Sequence, residues 1–186
     1  MGNPPYNAIQ VSFNDANPTD KYPEIDTKIK ETWGNTKVKK ASTMYDMYKR
    51  FLKWSSERIK KNGMVVFITN NSFLDAKSDD GFRRAVYEEF DYIYTVNLKG
   101  NQNIENWKKQ GGKIFGSKAK IGIAISFFIK TGEGKSKIHY AQVDDGMKRE
   151  EKLKWLADNS LFTLIKAYAI RQKCQWLNQR NMILMN

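Results

Sequence analysis

The chain has 186 residues, enough for one domain with its own core. Its 40% hydrophobic and 13% aromatic content excludes wholesale disorder, and one cysteine with one histidine, Cys174 and His139, can form neither an internal disulfide nor a zinc site. The formal net charge of +12 favours a polyanionic partner such as DNA or RNA, the alternative being a basic protein whose lysines merely solvate its surface.

Residues 1–41 carry little periodicity and hold all 4 prolines, so they read as a long loop with a short helix around residues 25–31. The opening Gly2-Asn3-Pro4-Pro5-Tyr6 is not a basic stretch leading into an apolar one, so no signal peptide is expected and a cytoplasmic setting fits. A strong helix is predicted over residues 43–61. Ser42 or Thr43 would cap it, with Asp46 in capping-box spacing after Thr43. Met44, Met47, Tyr48, Phe51, Leu52, Ser55 and Ile59 would form its apolar face, and Asn62-Gly63 would stop it.

Met64-Val65-Val66-Phe67-Ile68-Thr69 is a continuous apolar, β-branched run, the pattern of a strand buried on both faces. It leaves through the loop Asn70-Asn71-Ser72-Phe73-Leu74. A second helix is predicted from a cap at Ser78 or Asp79 to about Phe90, with Phe82, Ala85, Val86 and Phe90 on one face. Residues 92–98 read as a strand, residues 99–120 as a polar, Gly-rich, basic loop, and residues 121–130 and 137–143 as two further strands. Gly132-Glu133-Gly134 between the last two reads as the loop of a hairpin. Residues 148–157 read as a short charged helix on which Glu150 and Glu151 are surface charges. The apolar run at 121–129 is strand-length and too short to span a bilayer.

This order predicts an α/β fold, the second half of a doubly wound Rossmann-like sheet with a terminal antiparallel hairpin at its edge. A glycine-rich turn between a strand and a helix, with an acidic residue after it, is not found near the N-terminus.

The sharpest chemical signal is Asn3-Pro4-Pro5-Tyr6. Two consecutive prolines fix φ and stiffen the chain, and they push Asn3 out of the α region. The turn then holds the Asn3 side-chain oxygen and the Pro4 carbonyl toward one point. Both are acceptors, so together they suit an NH2 group, while Tyr6 offers a flat face to a planar ring. An amine on an aromatic heterocycle such as adenine meets both requirements. A chance turn is the alternative.

Asn3-Pro4-Pro5-Tyr6 is similar to the catalytic motif of S-adenosylmethionine-dependent methyltransferases that act on exocyclic or side-chain amines. The order that follows it, a long loop, an amphipathic helix, an apolar strand and the turn Ser72-Phe73-Leu74, resembles the adenine-N6 DNA methyltransferases of this class. Lys113-Ile114-Phe115-Gly116 before Ile121-Gly122-Ile123-Ala124-Ile125 resembles a later family motif. Trp176-Leu177-Asn178-Gln179-Arg180 resembles the start of the target-recognition region in large fused restriction–modification polypeptides.

The resemblance implies that Asn3, Pro4, Pro5 and Tyr6 are catalytic: Asn3 and the Pro4 carbonyl hold the amine, and Tyr6 stacks on a base extruded from the duplex. Phe73 and Phe115 become candidates for packing against that base, an ordinary core role being the alternative for Phe115. Lys108, Lys109, Lys113, Lys118 and Lys120, with Lys99 and Trp107 nearby, suit phosphate contact beside the site; a solvated loop is the alternative. His139 reads as an ordinary strand residue. The implied cofactor is S-adenosylmethionine, the implied partner is DNA, and neither a metal nor a membrane is expected.

The resemblance also implies a division. Residues 1–158 would be the C-terminal part of the catalytic domain, without its cofactor-binding first half, and residues 159–186 the start of a truncated target-recognition region. The expectation is therefore a restriction–modification methyltransferase fragment that is inactive alone and completed by a separate N-terminal half. A non-catalytic DNA-binding or assembly remnant is the alternative in another class. Methylation of a glutamine amide, which similar motifs serve in related enzymes, is the alternative substrate.

Overall fold

A computed structural model describes residues 1–5, 22–33, 44–115, 120–134, 136–160 and 163. Tyr6, Ser42, Thr43, Lys118 and the segment Trp176-Leu177-Asn178-Gln179-Arg180 lie outside the described residues.

The helices follow their local signals. Pro23 opens α1 (Pro23–Trp33), where a missing N–H costs nothing, and Glu24 and Asp26 occupy its positively polarised first turn. The helix buries Ile29 and Trp33. The helix expected over residues 43–61 is shorter at both ends: in α2 (Met47–Ser56) the capping position falls to Asp46, whose carbonyl accepts the N–H groups of Lys49 and Arg50. The buried face of α2 is formed by Tyr48, Leu52 and Ser56, with Ile59 packed beyond its end. Phe51, predicted on that face, is instead 41% exposed. It falls three residues from both Tyr48 and Trp54, and the helix rotation carries it to the outer side with Trp54. Asn62, at φ 64°, turns the chain into β1 (Gly63–Asn70).

Two 3-10 turns, Ser72–Leu74 and Lys77–Asp79, lead into α3 (Asp80–Glu89). As the periodicity predicts, α3 buries Phe82, Ala85 and Val86, with Phe90 immediately after it. Then follow β2 (Tyr92–Asn97), the four-residue α4 (Trp107–Gln110), β3 (Ile123–Lys130), β4 (Lys137–Gln142) and α5 (Arg149–Asp158). The short α4 lies inside the segment read from sequence as loop.

The sheet order is β1-β3-β2-β4. The α/β class is as expected, but the terminal hairpin is not formed. β3 and β4 are consecutive in the chain, yet β2 lies between them: β3 runs antiparallel to both β1 and β2, and β4 runs parallel to β2. The antiparallel strand is thus interior. The cause is visible at Asp91. Its carboxylate accepts N–H groups from Thr131 (2.6 Å), Gly132 (2.8 Å) and Gly134 (2.7 Å), and its carbonyl accepts that of Lys137 (2.9 Å). The Gly-rich loop is tied over the start of β2, so it crosses that strand rather than folding back on β3. Gly132 and Gly134, at φ 80° and 70°, supply the left-handed backbone this crossing uses.

Alternation along the strands gives the sheet two apolar faces. Against one face, α1, α2 and α3 enclose Val65, Phe67, Ile93, Ala124 and Phe128 in a core rich in aromatic edges. Phe82 sits at its centre, with ring centroids 5.4 Å from Trp33 and 5.7 Å from Phe73. Against the other face, Val96, Ile123 and Ala141 pack with Leu98, Ile114 and Val143, and Met147, Trp155 and Leu156 from the α5 region cover them. Among the described residues, no helix is long and apolar enough to cross a membrane, and no group of His, Cys, Asp or Glu side chains could hold a metal ion.

Candidate functional site

Gly2 joins the sheet. Its N–H donates to the Val66 carbonyl (2.9 Å) and its carbonyl accepts from Ile68 N–H (3.0 Å), making a parallel bridge with Phe67. A Cβ at Gly2 would stand 3.1 Å from the Phe67 ring, so glycine allows this close approach. Asn3, Pro4 and Pro5 therefore follow beside the carboxyl end of β1. Pro4 is buried, whereas Asn3 and Pro5 are exposed. In open α/β sheets this is the edge where ligands bind. Proline lacks the N–H that would continue the ladder, which releases the chain at this point.

Beyond β1 the backbone turns at once. Asn70 Oδ1 accepts both the N–H (3.1 Å) and the hydroxyl (2.6 Å) of Ser72. Phe73 points into the helical core between Tyr48 and Phe82 and is 1% exposed, so the described residues give it a packing role. Behind it lies a cluster of charge that residue patterning alone did not single out. The guanidinium of Arg83 donates to the carbonyls of Phe73 (2.7 Å) and Ala76 (2.9 Å), and the ammonium of Lys49 lies 2.6 Å from Asp79. Burial pushes the pKa of Lys49 down, against the pull of Asp79. Burial likewise lowers that of Arg83 and raises that of nearby Asp75. The one signal in the sequence is the placing of Lys49 beside Tyr48 and of Arg83 beside Phe82, on helix faces otherwise apolar.

A row of amides and a phenol runs along the same sheet edge. Strand register aligns Thr69, Ala124, Asn97 and Gln142 across the four strands. Asn71 donates to Asn97 Oδ1 (2.9 Å), Asn97 Nδ2 donates to the Tyr140 hydroxyl (2.9 Å), and that hydroxyl donates to Gln142 Oε1 (2.9 Å). Asn97 Oδ1 also accepts Lys99 N–H at 2.9 Å. Gly122 lies directly under the Asn71 side chain, where a Cβ would collide with it. Among the described residues, the side-chain hydrogen bonds of this row thus join neutral amide and hydroxyl groups.

The basic segment borders this edge. Lys108 and Lys109 on α4 and Lys120 before β3 are exposed, Lys113 is half-buried, and Trp107 is 48% exposed. Phe115 is 37% exposed while its neighbour Ile114 is buried in the second core. Lys99 departs from the expected group: it is buried, with its ammonium 2.6 Å from Asp145, whose carboxyl it holds below the usual range. His139 belongs to β4 and stacks on Tyr94 with centroids 4.6 Å apart, and burial lowers its pKa.

Residues 1–105 match the family described as Eco57I restriction-modification methylase. No curated protein sequence matches the chain. Among solved structures, the DrdV–DNA complex is 41% identical with a TM-score of 0.80, over 87% of this chain and 16% of that one. A nuclease-deletion mutant of the Type ISP restriction-modification enzyme LlaGI, in complex with a DNA substrate mimic, is 37% identical with a TM-score of 0.80, over 84% of this chain and 15% of that one. The ATP-dependent Type ISP restriction-modification enzyme LlaBIII bound to DNA is 34% identical with a TM-score of 0.79, over 85% of this chain and 11% of that one. The chain therefore spans a small part of the solved proteins it resembles.

Proposed function

The chain belongs to the Eco57I restriction-modification methylase family, and from that premise we propose that it carries the amine-holding side of an adenine-N6 DNA methyltransferase site. The observation that carries this reading is the Gly2–Phe67 bridge, which brings Asn3 and Pro4 to the carboxyl edge of the sheet. In this reading the Asn3 side-chain oxygen and the Pro4 carbonyl accept the two N–H bonds of an adenine amine. Pro5 stiffens the bend, and Tyr6 stacks on the extruded base. A bound sulfonium donor would supply the methyl group, its sulfur–carbon bond breaking to leave a thioether as the nitrogen–carbon bond forms; the nitrogen would then carry a positive charge, which two oxygens aimed at its hydrogens would stabilise. One proton then leaves to water. Phe115 borders the base, and Lys108, Lys109, Lys113, Lys118 and Lys120 meet the DNA backbone. That the relatives' solved structures are DNA complexes supports this assignment.

The methylase family implies S-adenosylmethionine as methyl donor. Among the described residues no glycine-rich turn joins a strand to a helix, so they do not by themselves fit the adenosyl and methionine portions of that cofactor. We assign the cofactor pocket to a methylase half outside residues 1–158, and residues 159–186 to the start of a target-recognition region. A cytoplasmic setting accompanies this reading.

The test is to combine the chain with a family N-terminal half and to measure transfer of labelled methyl from S-adenosylmethionine to duplex DNA and to a glutamine-containing peptide. Transfer to adenine that falls about 100- to 1000-fold in Asn3→Ala supports the reading. DNA binding without transfer in any combination would instead favour a non-catalytic DNA-binding piece, and transfer to the peptide alone would move the substrate to a side-chain amide.

A further inference from the structure

The segment that carries Lys108, Lys109, Lys113 and Phe115 is held by its backbone, and the element that holds it is the start of α5. Gly146 N–H donates to the Lys109 carbonyl (3.0 Å), and Gly112 N–H donates to the Met147 carbonyl (2.8 Å). The Lys152 ammonium donates to the carbonyls of Gln110 (2.8 Å) and Gly112 (2.6 Å), and Arg149 Nε donates to that of Ile114 (2.9 Å). Carbonyls 109, 110, 112 and 114 are thus all directed to α5 and the turn before it. Gly111, at φ 67°, and Gly112 let the two backbones approach so closely that a Cβ at either would enter the 146–149 backbone. The side chains of Trp107, Lys108, Lys109 and Phe115 remain exposed.

Lys152 is unusual within this arrangement. Its side chain is fully buried, although α5 is otherwise a mostly exposed, charged helix. A lysine needed only for solubility would not be buried, and one needed only for packing could be replaced by an apolar residue without burying a charge. Its ammonium binds two carbonyls that lie two residues apart, a charge-assisted contact that fixes the bend at Gly111. Lys99 lies near enough to disfavour the charge on Lys152, and the partner of Lys99 is Asp145, in the same turn before α5.

We propose that Lys152 and Arg149 are positioning residues that hold residues 107–115 in the shape in which this segment meets the DNA backbone. The proposal rests on the DNA-contacting role assigned above, and the experiment separates the two. The full chain would be prepared as wild type, Lys152→Met, Lys152→Arg, Arg149→Met and the double variant Lys108→Ala/Lys109→Ala. Two readouts are taken: amide hydrogen exchange along the chain, and anisotropy of a labelled duplex of about 20 base pairs at several salt concentrations.

Lys152→Met and Arg149→Met are expected to speed exchange in residues 100–115 by about tenfold or more while β1 and β3 stay protected. They are also expected to raise the DNA Kd by a similar factor, about tenfold, with Lys152→Arg restoring part of both effects. If Lys152→Met does not fold, Arg149→Met and Lys152→Arg carry the test. Unchanged exchange at 100–115 in the folded variants would overturn the anchoring role. Faster exchange with unchanged Kd, where Lys108→Ala/Lys109→Ala weakens binding, would overturn positioning. If Lys108→Ala/Lys109→Ala leaves binding and its salt dependence unchanged, the DNA-binding role of this segment is itself overturned, whatever the exchange data show of the anchor.

Discussion

The ammonium of Lys49 lies 2.6 Å from Oδ1 of Asp79, with both side chains almost wholly buried behind the turn that follows β1. Asp79 stands at the capping position of α3 yet makes no side-chain bond to the helix end, because its carboxylate turns inward to Lys49. A buried pair of this kind is costly to break from one side. Asp79→Leu or Lys49→Met is expected to destabilise the chain by about 3–5 kcal/mol, while the double replacement Lys49→Met/Asp79→Leu costs clearly less than the sum. Urea unfolding of the four proteins measures this; additive losses would show that the pair is uncoupled.

Gly122 underlies the polar row at the sheet edge. Replacing it with alanine puts a methyl group where the Asn71 amide now lies. Gly122→Ala is expected to break the Asn71–Asn97 hydrogen bond and to cost about 1–2 kcal/mol. The side-chain amide resonances of Asn71 and Asn97 would report the change directly, and their persistence would contradict it.

Asp91 makes the loop over β2 sensitive to acid. The N–H groups of Gly132 and Thr131, and then Gly134, hold its carboxyl below the ordinary 3.8. A depressed folded pKa gives stability that is present above the unfolded value and lost as pH falls through the folded one. Wild type is therefore expected to exceed Asp91→Asn in stability at neutral pH, with the gap closing below about pH 3.8. Denaturant midpoints across pH 7 to about 2.5 would show it; a gap that widens in acid would be inconsistent with this role.

Lys152 has the opposite chemistry, an amine whose charged form is disfavoured. Burial, then the nearby charge of Lys99, lowers its pKa from the ordinary 10.5 to about 8. Between these values the unfolded chain binds more protons than the folded one, so this group's contribution to stability rises with pH. The neutral amine keeps two N–H donors for its two carbonyls. The stability of wild type relative to Lys152→Met should grow from pH 8 toward 10.5. Thermal melts of both proteins through that range provide the check, and a shrinking difference would contradict the assignment.

The proposed DNA binding has its own signature. Each lysine withdrawn from a phosphate lowers the slope of log K against log salt by about 0.9. Lys108→Ala/Lys109→Ala is thus expected to reduce the slope by up to about 1.8 while affinity falls alike for all duplex sequences. A change confined to one sequence would indicate base reading instead.

Local chemistry made much of this protein readable from its residues. The apolar spacing of Phe82, Ala85, Val86 and Phe90 set a helix face, the run from Met64 to Thr69 set a buried strand, and the prolines after Asn3 marked where the chain ends its pairing with that strand. These features depend on neighbours three or four residues apart, or on the fixed φ of proline, so no tertiary contact is needed to recognise them. Strand order is different. Gly132-Glu133-Gly134 has the composition of a hairpin loop, and only the carboxylate of Asp91, some forty residues earlier, draws it across β2 instead.

The same holds at the site. The charge of Lys49, Arg83 and Lys152 is plain in the sequence, but burial alone decides that they bind Asp79 and backbone carbonyls rather than solvent. Backbone carbonyls carry no residue identity, so the anchoring of residues 109–114 on α5 leaves almost no trace in the order of amino acids beyond Gly111 and Gly112. Residue type fixed which groups were available; the fold decided which of them lost their water, and with it their partners.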